Sequence, residues 1–497
     1  MARLPRSFYN PLSLVGAGLA LVTLFAILIF FLMELIGTST SPYMGIFTYM
    51  ILPGVMITGL LLIPFGAWFE KRRLRKHHGE ERKYLNIDFN KPTHRFAFMI
   101  FMVGTFFLII ISAAGTYQAY TYSESVEFCG KVCHVVMKPE YVAYQHSPHA
   151  RVLCAECHIG SGADWFVKAK ISGAYQVYSV IFDKYSRPIE TPIHNLRPAS
   201  ETCLHCHWPQ KFSSNLEMAK TYYPLDTAAM QPWTMTLQLK IGGGHSELGP
   251  TNGIHWHMND ANIVEYVAVD SKRQDIPYIK STNAATGKVT IYRSTESSAT
   301  EADLAKGEKR KMDCIDCHNR PSHIYHPPFR TVNDAMAAQS IPNTLPNIRS
   351  IASMVLTRDY VSEERALAEI PAAVRAQYAK YAPEVLRARS GDVEKAITAI
   401  SRIYQRNFFP EMQVSWKKYP NNIGHMYNDG CFRCHDGKHV SDDGKVLTND
   451  CNTCHLIIAQ GSPGKVESNI AGLAFRHPVD VGGAETTEKC TTCHTGE

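Results

Sequence analysis

Cys154-Ala-Glu-Cys157-His158 is the stretch on which the reading of this chain turns. Two thiols three positions apart can form thioethers to the edge of a porphyrin while the histidine behind them reaches its iron, which is the attachment signature of c-type haem. The same spelling returns at Cys203/Cys206/His207, Cys314/Cys317/His318, Cys431/Cys434/His435, Cys451/Cys454/His455 and Cys490/Cys493/His494. A seventh copy, Cys129/Cys133/His134, has one more residue between its thiols. These motifs use all fourteen cysteines and leave none over. A disulfide scaffold would not place a histidine after every second cysteine, and a chain of 497 residues does not need one. Structural zinc would pair its knuckles about 12–20 residues apart, whereas most gaps here are longer and each pair brings its own histidine. Seven covalent haem c groups are therefore expected, with His134, His158, His207, His318, His435, His455 and His494 as proximal ligands.

Three apolar stretches, at about 12–36, 43–69 and 96–114, occupy the first quarter. The first two exceed the ~20 residues that span a bilayer and the third reaches the lower limit of ~17. The first is too long for a signal-peptide core and is followed by no small-residue cleavage site, so an uncleaved anchor is expected. Arg3 and Arg6 precede the first stretch, and Lys71, Arg72, Arg73, Arg75, Lys76, Arg82, Lys83, Lys91 and Arg95 follow the second. The short loop at 38–42 has no charge. The positive-inside rule then puts the amino terminus and second loop in the cytoplasm, and everything after residue 114 outside, in the periplasm of a bacterial inner membrane. Those cytoplasmic pieces carry eleven basic and four acidic residues, more than the whole formal net charge of +6. The exported part is balanced, so the basic excess reports topology and gives nucleic-acid binding no support.

The expected fold is mainly α with extensive irregular structure: three transmembrane helices, then a periplasmic multihaem region with a small β-containing insertion. Residues 1–114 read as the membrane anchor, 115–210 as a unit with haems 1–3, and 211–330 as the insertion with haem 4. Residues 331–413 read as a helical scaffold and 414–497 as a three-haem unit. The alternation in 262–270 and 288–293 predicts strands. Val393, Ile397, Ile400 and Tyr404 make a helical stripe with Asp392 as its N-cap, and 362–389 is a second helical run interrupted near Pro371 and Pro383. Gly242–Gly244 reads as a loop, because no phosphate-cradle context follows it.

Haem iron that only transfers electrons takes a second axial ligand. Twelve histidines besides the seven proximal ones lie outside the membrane. The preferred distal ligands are His149, His194, one of His255/His257, one of His323/His326, His425, His439 and His477. His255 and His257 would share one face of a strand. His205, inside its own motif, is not expected to ligate. Met137, three residues after His134, is a candidate thioether ligand for the first haem, or a residue that packs on the porphyrin.

Residues 96–210 resemble the NapC/NirT family of membrane-anchored quinol dehydrogenases. An apolar helix runs straight into a first motif with a nearby Met137; Glu140, Tyr144, His146 and His149 precede the second motif; Lys168 and Lys170 precede the third. The whole chain is similar to seven-haem inner-membrane members of that family. The departures are three apolar stretches in place of one, the widened first motif, the delayed fourth haem, and the lack of an acidic residue shortly after the lysines. The resemblance implies oxidation of a quinol, such as menaquinol, from the membrane pool and relay of electrons to periplasmic c-type cytochromes or a reductase. It implies a quinol site around 115–137, with Glu140, Lys168 and Lys170 as candidate proton-handling residues. Glu34, a carboxylate near the outer end of the first span, is a further candidate. Two other readings stay open. One is a terminal multihaem reductase, which would need an open iron position and commonly a C-x-x-C-K site that this chain lacks. The other is a cytochrome subunit whose quinone site belongs to another chain.

Overall fold

The computed structural model describes residues 8–35, 51–76, 88–132, 134–160, 163–193, 197–208, 212, 214–224, 231–243, 253–259 and 261–496. Expectations for Cys133 and His194, and for the side chains of Glu34, His134 and Lys170, lie outside the described residues. The chain divides into two compact units, Met1–Glu124 with His158–Tyr175, and Ser125–Cys157 with Gln176–Glu497.

Three long helices dominate the first unit: α1 (Pro11–Leu35), α2 (Leu52–Lys76) and α3 (Pro92–Ser123). Helices α1 and α2 approach closely where Gly16 faces Gly59, and a Cβ on either would fall within 3 Å of the other's carbonyl oxygen. Small residues that let backbones touch are the usual contact between helices in lipid, where apolar side chains gain nothing from leaving water. Ser13 Oγ donates to the Ile63 carbonyl at 2.8 Å, satisfying a hydroxyl within an otherwise apolar pair. Among the described residues two helical stretches, Pro11–Phe30 and Leu52–Leu74, are long and apolar enough to cross a membrane, against the three expected. The third apolar stretch lies inside α3, a continuous 32-residue helix that exposes Phe96, Met99, Ile100, Phe106 and Ile111.

The second unit is helical with two antiparallel sheets. Its first elements are α4 (His134–Gln145) and α5 (Cys154–His158); α6 (Ala163–Ile181), which belongs up to Tyr175 to the first unit, and α7 (Ala199–Cys203) follow in the chain. Five strands come next: β1 (Leu216–Tyr222), β2 (Trp233–Leu239), β3 (Asn262–Ala268), β4 (Tyr278–Asn283) and β5 (Val289–Ser294). The strands predicted at 262–270 and 288–293 are thus present within a residue or two. Then follow α8 (Glu301–Lys306), β6 (Glu308–Lys311) and α9 (Cys314–Cys317). In β3 the even positions Val264, Tyr266 and Ala268 turn inward onto Ile276 and Ile279, as a period of two requires.

The haem-free stretch folds as α10 (Pro328–Ala337), α11 (Ile348–Leu356), α12 (Glu363–Tyr381), α13 (Pro383–Ala388) and α14 (Ser390–Asn407). Val393, Ile397, Ile400 and Tyr404 of α14 are buried, together with Ile370 and Val374 of α12 and Val332 and Met336 of α10. Arg389, rather than Asp392, stands at the N-cap of α14, with Asp392 in its first turn. Helix α12 runs through Pro371 and ends before Pro383, where the ring sits at the start of the next helix. Val136 and Ala143 of α4 join this core, and Lys138 pairs with Glu363, so the helix behind the first motif is seated on the scaffold.

Three strands from the last sixty residues complete the sheets. Strand β7 (His439–Ser441) pairs with β5, while β8 (His455–Gly461) and β9 (Glu467–Leu473) extend β2. The sheet orders are β1-β2-β8-β9 and β6-β3-β4-β5-β7. A short helix, α15 (Cys490–Cys493), carries the last motif.

Candidate haem sites

The first motif owes its extra residue to local backbone geometry. Phe128–Val132 is a π-helical turn, and such a turn accommodates one residue more than an α-helical one. Gly130 sits in it against the Tyr141 ring, which a Cβ would strike. A Gly130→Ala chain is expected to lose about 1–3 kcal/mol through this overpacking and to carry less porphyrin at the first motif. Thermal unfolding and the mass of the haem peptide would show both.

All thirteen described cysteines are free thiols, so no disulfide withdraws a sulfur from a motif. Neighbouring motifs lie close together in chain order. The Cys129 sulfur raises the pKa of Cys154, and the Cys203 sulfur raises that of Cys314. Burial first, and then Cys203 and Cys206, raise the pKa of Cys157. Burial followed by Cys431 pushes Cys317 and Cys454 each up to about 11. Cys490 is raised by burial and also by Cys451. Each motif thus has a sulfur near one of the next motif, from the first to the seventh.

The histidines follow a second pattern. His149 faces His207 with ring centroids 6.0 Å apart, and His255 faces His318 at 6.5 Å. His257 faces His435 at 5.8 Å, His425 faces His455 at 6.2 Å, and His477 faces His494 at 6.0 Å. Two imidazoles on opposite sides of one metal, with bonds of about 2.0 Å and ring centres about 1.1 Å behind each nitrogen, have centroids roughly 6.2 Å apart. Five proximal histidines thus face a partner across a gap of the width an iron fills.

Hydrogen bonds fix which nitrogen faces that gap. Nδ1 of His149, His255, His257, His435 and His477 bonds the carbonyls of Pro321, Ile241, Ile254, Thr448 and Val479 in turn. That contact holds the proton on Nδ1 and leaves the Nε2 lone pair for a metal. Burial lowers the pKa of His257, His318, His425, His435, His455 and His494, which keeps these rings neutral, the form that ligates.

Several expectations meet a different geometry. His255 and His257 lie on a 3-10 turn, Ile254–Met258, and not on a strand. At about 120° per residue they point apart, and each faces its own proximal histidine. His439 is 2 % exposed, with Nδ1 bonded to Asp436 Oδ1 at 2.9 Å and Nε2 to the Ile276 carbonyl at 2.7 Å. Both nitrogens are donors, so the ring is an imidazolium without a lone pair for iron. His323 Nδ1 bonds the Glu140 carbonyl at 3.0 Å, with the Glu140 carboxylate 3.1 Å away. His326 is neutral, its pKa pushed down to about 3 by burial. Met137 is half-buried on α4.

Glu140, expected to handle protons, is instead held by Arg320 Nη2 at 3.2 and 3.3 Å. Lys168 is exposed, its ammonium 4.5 Å from the Trp165 ring. A cavity of about 420 Å3 opens beside the first motif, lined by Ser125, Glu127, Tyr141, Tyr144, Gln145 and Leu153 among others. Burial, and then the Cys154 sulfur, raise the pKa of Tyr144, whose hydroxyl bonds the Ala150 and Val152 carbonyls at 2.8 and 2.9 Å. The sequence reading missed Glu127, although it stands two residues before Cys129.

It also missed the residues that join motifs. Asp313 caps α9, and its Oδ2 accepts from the amides of Ala199 and Ser200 at 3.1 and 3.4 Å, tying the third motif to the fourth. Asp316, between Cys314 and Cys317, is 3 % exposed. It accepts from the Tyr266 hydroxyl at 2.6 Å, Arg310 Nε at 2.9 Å and the Asp313 amide at 2.6 Å. An acid between the cysteines of a motif could have signalled this.

Thiol pairs in line, facing neutral imidazoles and apolar helices at the amino end define a membrane-anchored multihaem c-type cytochrome that works in electron transfer. Residues 91–223 match the N-terminal region of the NapC/NirT cytochrome c family. The chain is 43 % identical over 488 residues to the cytochrome c-type protein ImcH of Geobacter sulfurreducens, covering 98 % of this chain and 95 % of that one. It is also 31 % identical over 78 residues to the cytochrome c-type protein NrfH of Wolinella succinogenes, covering 15 % of this chain and 44 % of that one. No solved structure matches. The chain belongs to the NapC/NirT cytochrome c family. Covalently bound haem c and anchoring in the inner membrane follow from that membership and from the apolar helices.

Proposed function

We propose that this cytochrome oxidises a membrane quinol, of the menaquinol class, and passes the electrons outward along seven attachment sites to a soluble periplasmic cytochrome or reductase. The nearness of each motif to the next, from the first to the seventh, carries this reading. The succession of motifs begins at Cys129 and ends in 414–497. Haem bound at the motifs supplies one-electron carriers. The chain's own residues would hold it: the thiol pairs would fix each porphyrin, the motif histidines would supply one ligand to its iron, and His149, His255, His257, His425 and His477 would supply the second at sites three to seven. Those facing rings oppose the terminal-reductase reading, because they leave no axial position for a substrate at these five sites.

The cavity beside the first motif supports a quinol site within this chain rather than in a partner. Oxidation of a quinol releases two electrons and two protons. Tyr144 stays protonated and can orient a quinol oxygen, while Glu127 is a carboxylate in the wall able to take a proton. In a Glu127→Gln chain, reduction by a menaquinol analogue is expected to slow by about 100-fold, with reduction by dithionite unchanged. An unaltered quinol rate would remove this cavity from the mechanism.

A further inference from the structure

The fourth and fifth motifs meet through residues that lie between their own cysteines. Arg433, between Cys431 and Cys434, is 9 % exposed. Its Nε donates to the Gly430 carbonyl at 2.9 Å, Nη1 to that of Arg273 at 2.7 Å, and Nη2 to that of Asp316 at 2.7 Å. Asp316 stands at the matching place in the fourth motif. All three of these acceptors are backbone carbonyls, which solvate a guanidinium without neutralising it.

Nearby carboxylates are committed elsewhere. Glu308 takes Arg273 in a two-pronged pair, both contacts 2.8 Å. Asp316 takes Arg310, and Asp436 takes His439. Arg273 and Arg310 thus have the Glu308 and Asp316 carboxylates as partners, while among the described contacts Arg433 has no carboxylate partner and its charge is left on the guanidinium. Its field reaches both motifs. Burial raises the thiol pKa of Cys431, Cys434 and Cys317, and Arg433 pulls each of them back down. At the fourth motif Arg433 reaches only Cys317, where the Asp316 carboxylate opposes it, and the charge beside Cys314 is the Asp313 carboxylate.

A porphyrin joined through Cys431 and Cys434 would be attached on either side of Arg433 in the chain, and going from ferric to ferrous iron adds one electron. A fixed buried cation stabilises the reduced form, with a strength that grows as the surroundings exclude water. We propose that Arg433 is a potential-setting residue: its unneutralised charge makes the fifth site a stronger oxidant than the fourth and biases the electron step between them toward the carboxyl-terminal end. This rests on haem at those two motifs and is independent of quinol as the donor.

The test is a potentiometric titration, followed by electron paramagnetic resonance, of the full chain in detergent as wild type, Arg433→Gln and Arg433→Lys. Intact mass checks the porphyrin content of each. In Arg433→Gln the ferrous-to-ferric ratio of one haem at fixed potential is expected to fall about tenfold, a shift of about 59 mV for one electron. Arg433→Lys should stay close to wild type. No shift in Arg433→Gln overturns the proposal, and so does an equal shift in Arg433→Lys, which would leave packing as the cause. If Arg433→Gln does not take up its porphyrins, Glu308→Gln provides the opposite perturbation at a side chain 39 % exposed, by unbalancing one more cation. The same potential should then rise, and a potential that stays or falls overturns the proposal.

Discussion

A His257→Ala chain is expected to keep its porphyrins and to gain one high-spin ferric haem. His257 lies 5.8 Å from His435, centroid to centroid, with its proton held on Nδ1 by the Ile254 carbonyl. Removing the ring frees one axial position of the fifth site, where iron would become five-coordinate or take water. Because the motifs stand in line, that change should also slow transfer from the fourth site to the sixth. His439→Leu is the control: its ring is already engaged by Asp436 and Ile276. It should leave every spin state unchanged and lower stability instead. The sign of that stability term is fixed by the pair. Burial opposes both charges, yet their mutual hydrogen bond wins, raising the His439 pKa above 6.5 and lowering that of Asp436 below 3.8. The histidine's contribution is complete below about pH 6.5 and is lost as pH rises through its folded value. That of the aspartate is complete above about pH 3.8 and is lost as pH falls through its folded value. Wild type and His439→Leu should therefore differ most in melting temperature near pH 5. Spin-state spectra showing no new high-spin haem in His257→Ala would remove the paired-histidine assignment.

Asp316→Ala should be the more damaging change. It deletes the acceptor of the Tyr266 hydroxyl, of the Arg310 guanidinium and of the Asp313 amide, and leaves Arg310 with Glu308 at 3.5 Å. Breaking a buried pair while its cation stays costs about 3–5 kcal/mol, a large share of the roughly 5–15 kcal/mol that holds a domain together. The loss falls on α9, so the fourth motif should take up less haem, and the amides of Ala199 and Ser200 should lose protection as Asp313 loosens. Calorimetry and mass would measure both. A variant as stable and as fully loaded as wild type would mean that this network does not hold the motif.

The attachment motifs were legible because covalent chemistry fixes their spacing in the sequence itself. The helical scaffold was legible through α14, whose stripe of Val393, Ile397, Ile400 and Tyr404 reports a core face directly. The facing histidines were readable only as a surplus. Which ring meets which iron depends on contacts between distant segments, as when the 3-10 turn at 254–258 serves the fourth and fifth sites together. His439 was misread for the same reason: its partners, a carboxylate three residues earlier and a carbonyl 163 residues away, exist only in the fold. Glu140 was expected to handle protons, but the fold gives it to Arg320, which lies 180 residues later. Strand β8 went unread because its pairing partner β2 lies more than two hundred residues earlier, and β9 pairs only with β8.

The intact mass of the mature chain, extracted from membranes without reduction, tests the account at its root. Seven thioether-linked porphyrins predict the polypeptide mass plus seven haem increments, with both sulfurs of every motif resistant to alkylation. A mass with fewer increments, or a motif whose two thiols both alkylate, would break the line of sites on which the proposed electron path depends.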